Sequence, residues 1–186
     1  MHVNRNIKFL LGTNGLILFS GALLGPIYAL FVEEVGGDVL DAGMAGAAFA
    51  FSAGLVSLFV GRFGDRVKRK GPILALGYVI VALGFFLYNW VDSMKLLLVA
   101  QVIIGVGEAL YSPMFDALYS ENLDEGKFSS EWGMWECMNY WTSCFAAIIG
   151  AVFVNHYGFK NLFLVMGGLA VWSAVQVCFW AQKKNL

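Results

Sequence analysis

Residues 61–70 read Gly61-Arg62-Phe63-Gly64-Asp65-Arg66-Val67-Lys68-Arg69-Lys70, and on either side of this segment charge disappears. Positions 42–61 before it and 71–91 after it contain no Asp, Glu, Lys or Arg. Each flank is about the 20 residues that a helix needs to cross a hydrocarbon core of about 30 Å. The ten-residue segment is therefore a turn at a membrane surface, with five positive charges on one side of the bilayer. Working outward, the pattern repeats. Residues 9–32, 137–159 and 161–182 are also uncharged, and 96–119 is interrupted only by Glu108 and Asp116. The spacing predicts six membrane helices near 8–32, 43–63, 71–90, 95–118, 131–154 and 159–181.

Composition agrees with this reading. Of 186 residues 59% are apolar and 13% charged, and a single water-soluble domain could not hide so much apolar surface. That argues against a soluble enzyme or a nucleic-acid-binding module. The formal charge of -1 offers no global attraction to an acidic partner. The first uncharged run is too long for a signal peptide, and it contains Asn14 and the pair Gly25-Pro26. Basic residues set the orientation. With the N-terminus cytoplasmic, Arg5, Lys8, Arg62, Arg66, Lys68, Arg69, Lys70, Lys127, Lys183 and Lys184 lie inside, and only Lys95 and Lys160 lie outside. The expected location is the cell membrane, with several passes and both termini cytoplasmic. The whole chain, 1–186, is expected to be one six-helix transmembrane domain without a soluble part. Cys137, Cys144 and Cys178 fall within spans and read as small packing residues.

Polar residues inside the spans mark candidate function, because they are expensive in lipid unless paired or wet. In the first span Asn14, Leu18, Gly21, Gly25 and Tyr28 recur every three or four residues and form one stripe. It reads either as a helix-packing face, through the Gly21/Gly25 pair, or as the lining of a solute path. Pro26 should loosen the outer third of this helix. In the fourth span Gln101, Gly105, Glu108 and Ser112 share a stripe with Tyr111 beside it, and Pro113 follows. Glu108 lies near mid-membrane with no basic residue at matching depth. It is expected to be protonated part of the time or neutralised by a transported cation; a solute contact and an interhelical hydrogen bond stay open. In the fifth span Glu136, Asn139 and Ser143 form a further polar stripe. Trp132 and Trp135 read as interfacial anchors. The third and sixth spans, with little polarity, read as lipid-facing or supportive. Pro26 and Pro113 occupy similar depths in oppositely directed helices, which suits two inverted three-helix units.

The 61–70 segment suggests a conformational lock. Gly61 and Gly64 thin the helix end, Asp65 can accept from a neighbouring helix N-terminus, and Arg66 and Arg69 can reach Asp116 or Glu121. The order of residues resembles the loop signature of the major facilitator superfamily between its second and third helices. Other features resemble that family too: six helices, a Gly-rich fourth helix (Gly105, Gly107) with a late proline, and a Lys127-containing loop. Departures are Lys68 where a glycine is common, Gln101 where many members carry an embedded arginine, and Ala146, Ala147 and Gly150 in place of an antiporter Gly-Pro signature. The resemblance implies an all-α fold of two inverted three-helix repeats, half of the family's usual length.

It further implies a secondary active transporter of a small solute, working by alternating access and expected to be proton- or cation-linked. A lone half encloses no path, so a homodimer or a second six-helix half is expected. The alternatives are a non-transporting scaffold or partner subunit, or one half of a split or truncated transporter. Without a mid-membrane cation, a neutral or cationic solute fits better than an anion. Membrane lipid is the expected surrounding; no enzyme chemistry, cofactor, metal or nucleic acid is implied.

Overall fold

The computed structural model describes residues 4–184. It is all-α: α1 (Arg5–Ala22), α2 (Tyr28–Glu34), α3 (Val39–Gly64), α4 (Lys70–Leu87), α5 (Met94–Glu121) and α6 (Phe128–Lys184). Taking α1 with α2, and α4 with the turn that follows it, five helical segments among the described residues are long and apolar enough to cross a membrane. The chain is a multi-pass membrane protein.

Local chemistry accounts for the boundaries. The Asn4 side chain caps α1 by accepting from the Asn6 amide at 3.0 Å. Pro26 then interrupts it with a 3₁₀ turn, Gly25–Ile27, before the helix resumes as α2. Asp38 and Asp41 form a reciprocal capping box at the start of α3, each side chain accepting from the other's amide at 3.0 Å. Pro113 stays within α5. The loop expected between 154 and 159 is reduced to one non-helical residue, Gly158, with φ 75° and ψ 169°. Only glycine adopts that backbone without strain, so the bend needs no further residues.

The central element is α4, which packs on both α5 and α6; α3 leans on α5 and α1 on α6. Of the most apolar window of α4, 56% is buried, against 11% for α3. Of the two readings of the third span, lipid-facing or supportive, this burial agrees with the supportive one. Apolarity in a bilayer does not distinguish a lipid contact from a helix contact; small residues do. A Cβ on Gly77 would stand 2.7 Å from the Tyr111 amide nitrogen and 2.8 Å from the Gly107 carbonyl oxygen, so α4 and α5 cross almost backbone to backbone. Gly84 meets Ile104, and Gly167 of α6 meets Phe86. On the other side, Gly150 of α6 lies against the Leu23 carbonyl at the end of α1. Phe31, Tyr88, Phe159 and Phe163 close one end of the bundle, with ring centroids 4.8–5.6 Å apart for the pairs Phe31–Phe163 and Phe31–Tyr88.

Candidate functional site: a polar-studded cavity between the helices

The close crossings of α4 leave a gap in front of it. A cavity of about 470 Å³ opens there, bounded by α1 and α2, α3, α4, α5 and α6, the last on both sides of Gly158. Its walls are mostly apolar, with Val81, Phe85 and Phe49 prominent. Of the eight residues expected on the solute path or in coupling, Tyr28, Gln101, Glu108, Tyr111, Asn139 and Ser143 line it. They come from three elements far apart in sequence, α2, α5 and α6.

Most of the stripe on the first span faces this cavity. Leu18, Gly21, Gly25 and Tyr28 all line the cavity. A Cβ on Gly21 would meet only the Phe85 ring, at 3.8 Å, and one on Gly25 would meet nothing within 4 Å. These glycines leave space open and do not seat a helix. At the end of that stripe the Gln101 amide donates to the Tyr28 hydroxyl at 2.6 Å, tying α5 to α2 just beyond the Pro26 turn. Glu108 lies two turns along the same face of α5; among the described residues it is the one carboxyl group in the wall, and no Lys, Arg or His lines it. Among the described residues Glu108 makes no ion pair and no hydrogen bond through its carboxyl group.

The structure places Asn14 and Glu136 elsewhere. Asn14 is 2% exposed and turned away from the cavity: its amide donates to the Tyr78 hydroxyl at 3.5 Å, and its carbonyl accepts from the Trp135 indole at 3.0 Å. It joins α1, α4 and α6. Trp135, read as an interfacial anchor, belongs to this internal network because its N–H finds a buried acceptor, as buried indoles do. Trp132 packs edge-on against both Trp135 and Tyr119. Glu136 sits on the exposed face of α6 outside the cavity.

The lock residues are only partly gathered. Gly64 is buried against Met114 of α5, as a thin helix end requires, whereas Gly61 is exposed. Asp65, Arg66, Arg69 and Asp116 are exposed and, among the described residues, make no ion pair. The link between this loop and α5 is instead Lys70 to Glu121, Nζ to Oε1 at 2.7 Å. Lys70 opens α4, so its stem is aimed at α5 by the helix; the arginines hang from the loop and have no such direction. A neighbouring loop is also pinned. Glu131, 1% exposed, accepts from the Asp124 amide at 2.9 Å, and the Asp124 carboxylate bonds Lys127 at 2.9 Å, which raises the Lys127 pKa chiefly through that hydrogen bond.

Among the wall residues that the sequence reading does not single out are Val81, Phe85 and Tyr88. The signal is present: Tyr78, Val81, Phe85 and Tyr88 recur at helical spacing along the third span, which reads by its apolarity as lipid-facing or supportive.

Comparison with known proteins fits the apolar bundle and its cavity. The family model described as Major Facilitator Superfamily matches residues 10–185. The chain belongs to this superfamily. Its members are transporters and not enzymes. Similar proteins include the multidrug resistance protein MdtL of Vibrio parahaemolyticus, 25% identical over 92% of this chain and 44% of that protein. The uridine/deoxyuridine transporter of Lactococcus lactis is 20% identical over 89% of this chain and 34% of its own length. The chain thus spans less than half the length of these relatives. The uncharacterized MFS-type transporter YitZ of Bacillus subtilis is matched more evenly, 23% identical over 90% of this chain and 92% of that protein.

Proposed function

We propose that the chain is a six-span half-unit of a secondary active transporter, which moves a neutral or cationic small solute by alternating access. The observation that carries this is the cavity itself: about 470 Å³, mostly apolar, with Glu108 as its one carboxyl and no basic residue in its wall. Such a site receives an organic body and balances a positive charge. Glu108 is the coupling group, taking up a proton or exchanging it for a cationic solute, because an unpaired carboxylate at that depth is too costly to keep ionised throughout a cycle. Multidrug resistance, in the name of MdtL, is the relative's function that this lining suits best.

Six spans follow from splitting α6 at Gly158. Trp135 near its start bonds Asn14 and Trp180 near its end stacks on Phe9, while Phe159 and Phe163 beside the bend reach Phe31 at the far end of the bundle. The two limbs therefore run antiparallel. The similar depths of Pro26 and Pro113 in oppositely directed spans favour inverted three-helix repeats within the half, although only Pro26 breaks its helix. Ten of the twelve basic residues then fall on the cytoplasmic side, with both termini.

A second half completes the path, and a second copy of this chain is the simplest one. The exposed side of α3 and the Glu136 face of α6 are turned toward it, so Glu136 is the second candidate for carrying protons. Asp65, Arg66 and Arg69 act with Lys70, Asp116 and Glu121 as the lock, the Lys70–Glu121 pair being the part engaged in this conformation. A non-transporting subunit would bury Glu108 in a fixed contact, and the open cavity beside it speaks against that. The test is reconstitution of the purified chain in vesicles, with ethidium followed by fluorescence under an imposed pH gradient. Accumulation that collapses when the gradient is dissipated is expected; none with a gradient of either sign would remove the proposal.

A further inference from the structure

The tyrosines around the cavity differ in how their hydroxyl groups are satisfied. That of Tyr28 accepts from Gln101, and that of Tyr78 from Asn14. The hydroxyls of Tyr88 and Tyr111 have no hydrogen-bond partner among the described residues. Yet Tyr88 is only 4% exposed and Tyr111 only 6%. Among the described residues, no fully enclosed side-chain nitrogen or oxygen lacks a partner, so each of these hydroxyls touches open space. Both residues line the 470 Å³ cavity; Tyr88 also borders a smaller outer hollow of about 240 Å³. A buried polar group left without a partner is costly, and such a group facing a cavity indicates what the cavity receives.

Of the two, Tyr111 has the more informative position. It follows Glu108 by three residues on α5, which puts both on one face about one helical turn, ~5 Å, apart. Its ring is held edge-on to Tyr78 with centroids 5.0 Å apart, and its Cβ lies against Gly77 at the tightest part of the α4–α5 crossing. The hydroxyl is therefore a donor fixed in place before any ligand arrives, and a fixed donor loses little freedom on binding. Tyr88 stands ten residues beyond Tyr78, at the start of the turn that follows α4, about 15 Å further along the bundle. It cannot serve the same atom.

We propose that the Tyr111 hydroxyl donates a hydrogen bond to an acceptor oxygen of the solute, one helical turn from the positive centre that Glu108 holds. The favoured solutes are organic cations with a carbonyl close to the charge. This rests on the reading of Glu108 as the cation contact and adds to it a second, neutral recognition element.

A matched pair of ligands separates the two claims. Phenacyltributylammonium and phenethyltributylammonium differ by a carbonyl in place of a methylene, and both carry a fixed positive charge. Equilibrium binding to the purified full chain should favour the phenacyl ion about two- to tenfold, the range of one net hydrogen bond. Tyr111→Phe keeps the ring and its packing; it should bring the ratio to one while leaving phenethyl affinity unchanged. Tyr88→Phe should preserve the ratio. Glu108→Gln should weaken both ions together. Equal binding of the two ions by the unmodified chain, or a preference that survives Tyr111→Phe, would overturn the assignment of the hydroxyl and leave the cation contact standing. Binding of both ions that is indifferent to Glu108→Gln, or no binding of either, would overturn the cation contact and this inference with it.

Discussion

Gly77 offers the sharpest structural prediction, because its substitution strikes the crossing that positions the cavity wall. In Gly77→Ala the new methyl would stand 2.7 Å from both the Cβ and the amide nitrogen of Tyr111, and 2.8 Å from the Gly107 carbonyl oxygen. Carbon atoms in good contact are about 3.5–4.0 Å apart, so α4 and α5 must separate by roughly 1 Å. Two of the three opposing atoms are backbone and cannot rotate away. Overpacking of this kind costs about 1–3 kcal/mol. Against it stands the better helix propensity of alanine, about 1 kcal/mol. Gly12→Ala isolates that gain, since a Cβ on Gly12 meets nothing within 4 Å. The difference between the two variants is then the clash alone. For a chain of this size each kcal/mol shifts the melting temperature by about 2–4 °C, on the scale of soluble domains. Thermal unfolding of the purified protein should place Gly77→Ala roughly 2–12 °C below Gly12→Ala. Equal melting temperatures would mean that the helices do not cross at Gly77, and the position assigned to Tyr111 would fall with that.

Two further outcomes follow from the loop and from the half-unit reading. Asp65→Asn should slow uptake strongly while changing equilibrium solute binding much less, because a lock alters the balance between two states and not the site itself; normal uptake at normal expression would exclude the lock. The protein's mass in mild detergent, with the bound detergent subtracted, should be twice the chain mass of 20.4 kDa, and a monomer under several mild conditions would shift the account to a half that works with a different partner.

The spans were legible in the sequence because charge is excluded from the bilayer with little exception, so uncharged runs of about 20 residues have few other uses. Tyr28, Gln101, Glu108, Tyr111, Asn139 and Ser143 were legible as polar side chains at helical spacing in lipid-depth segments, and the structure puts all six on one cavity. Asn14 obeyed the same signal but is consumed by Tyr78 and Trp135, because polarity in a span indicates a partner without saying whether that partner is solute or protein. The burial of α4 was faint, since leucine and valine are equally at home against lipid and against a helix; the glycines at 77 and 84 and the helical spacing of Tyr78, Val81, Phe85 and Tyr88 were its marks. The ion pairing of the loop was hidden for a different reason. Arg66, Arg69 and Lys70 all have the reach, and which one meets Glu121 depends on where α4 begins. Gly158 shows the limit of loop prediction: one residue with positive φ makes the bend for which the expected span boundaries leave four, 155–158.

The central claim is that Glu108 couples solute movement to protons or cations, and gradient-driven accumulation measured beside gradient-free exchange, in vesicles containing Glu108→Gln, tests it most directly. Glutamine keeps the size and hydrogen-bonding capacity of the side chain but cannot ionise. Loss of accumulation with exchange retained is the predicted result. Full gradient-driven accumulation by Glu108→Gln would contradict the account.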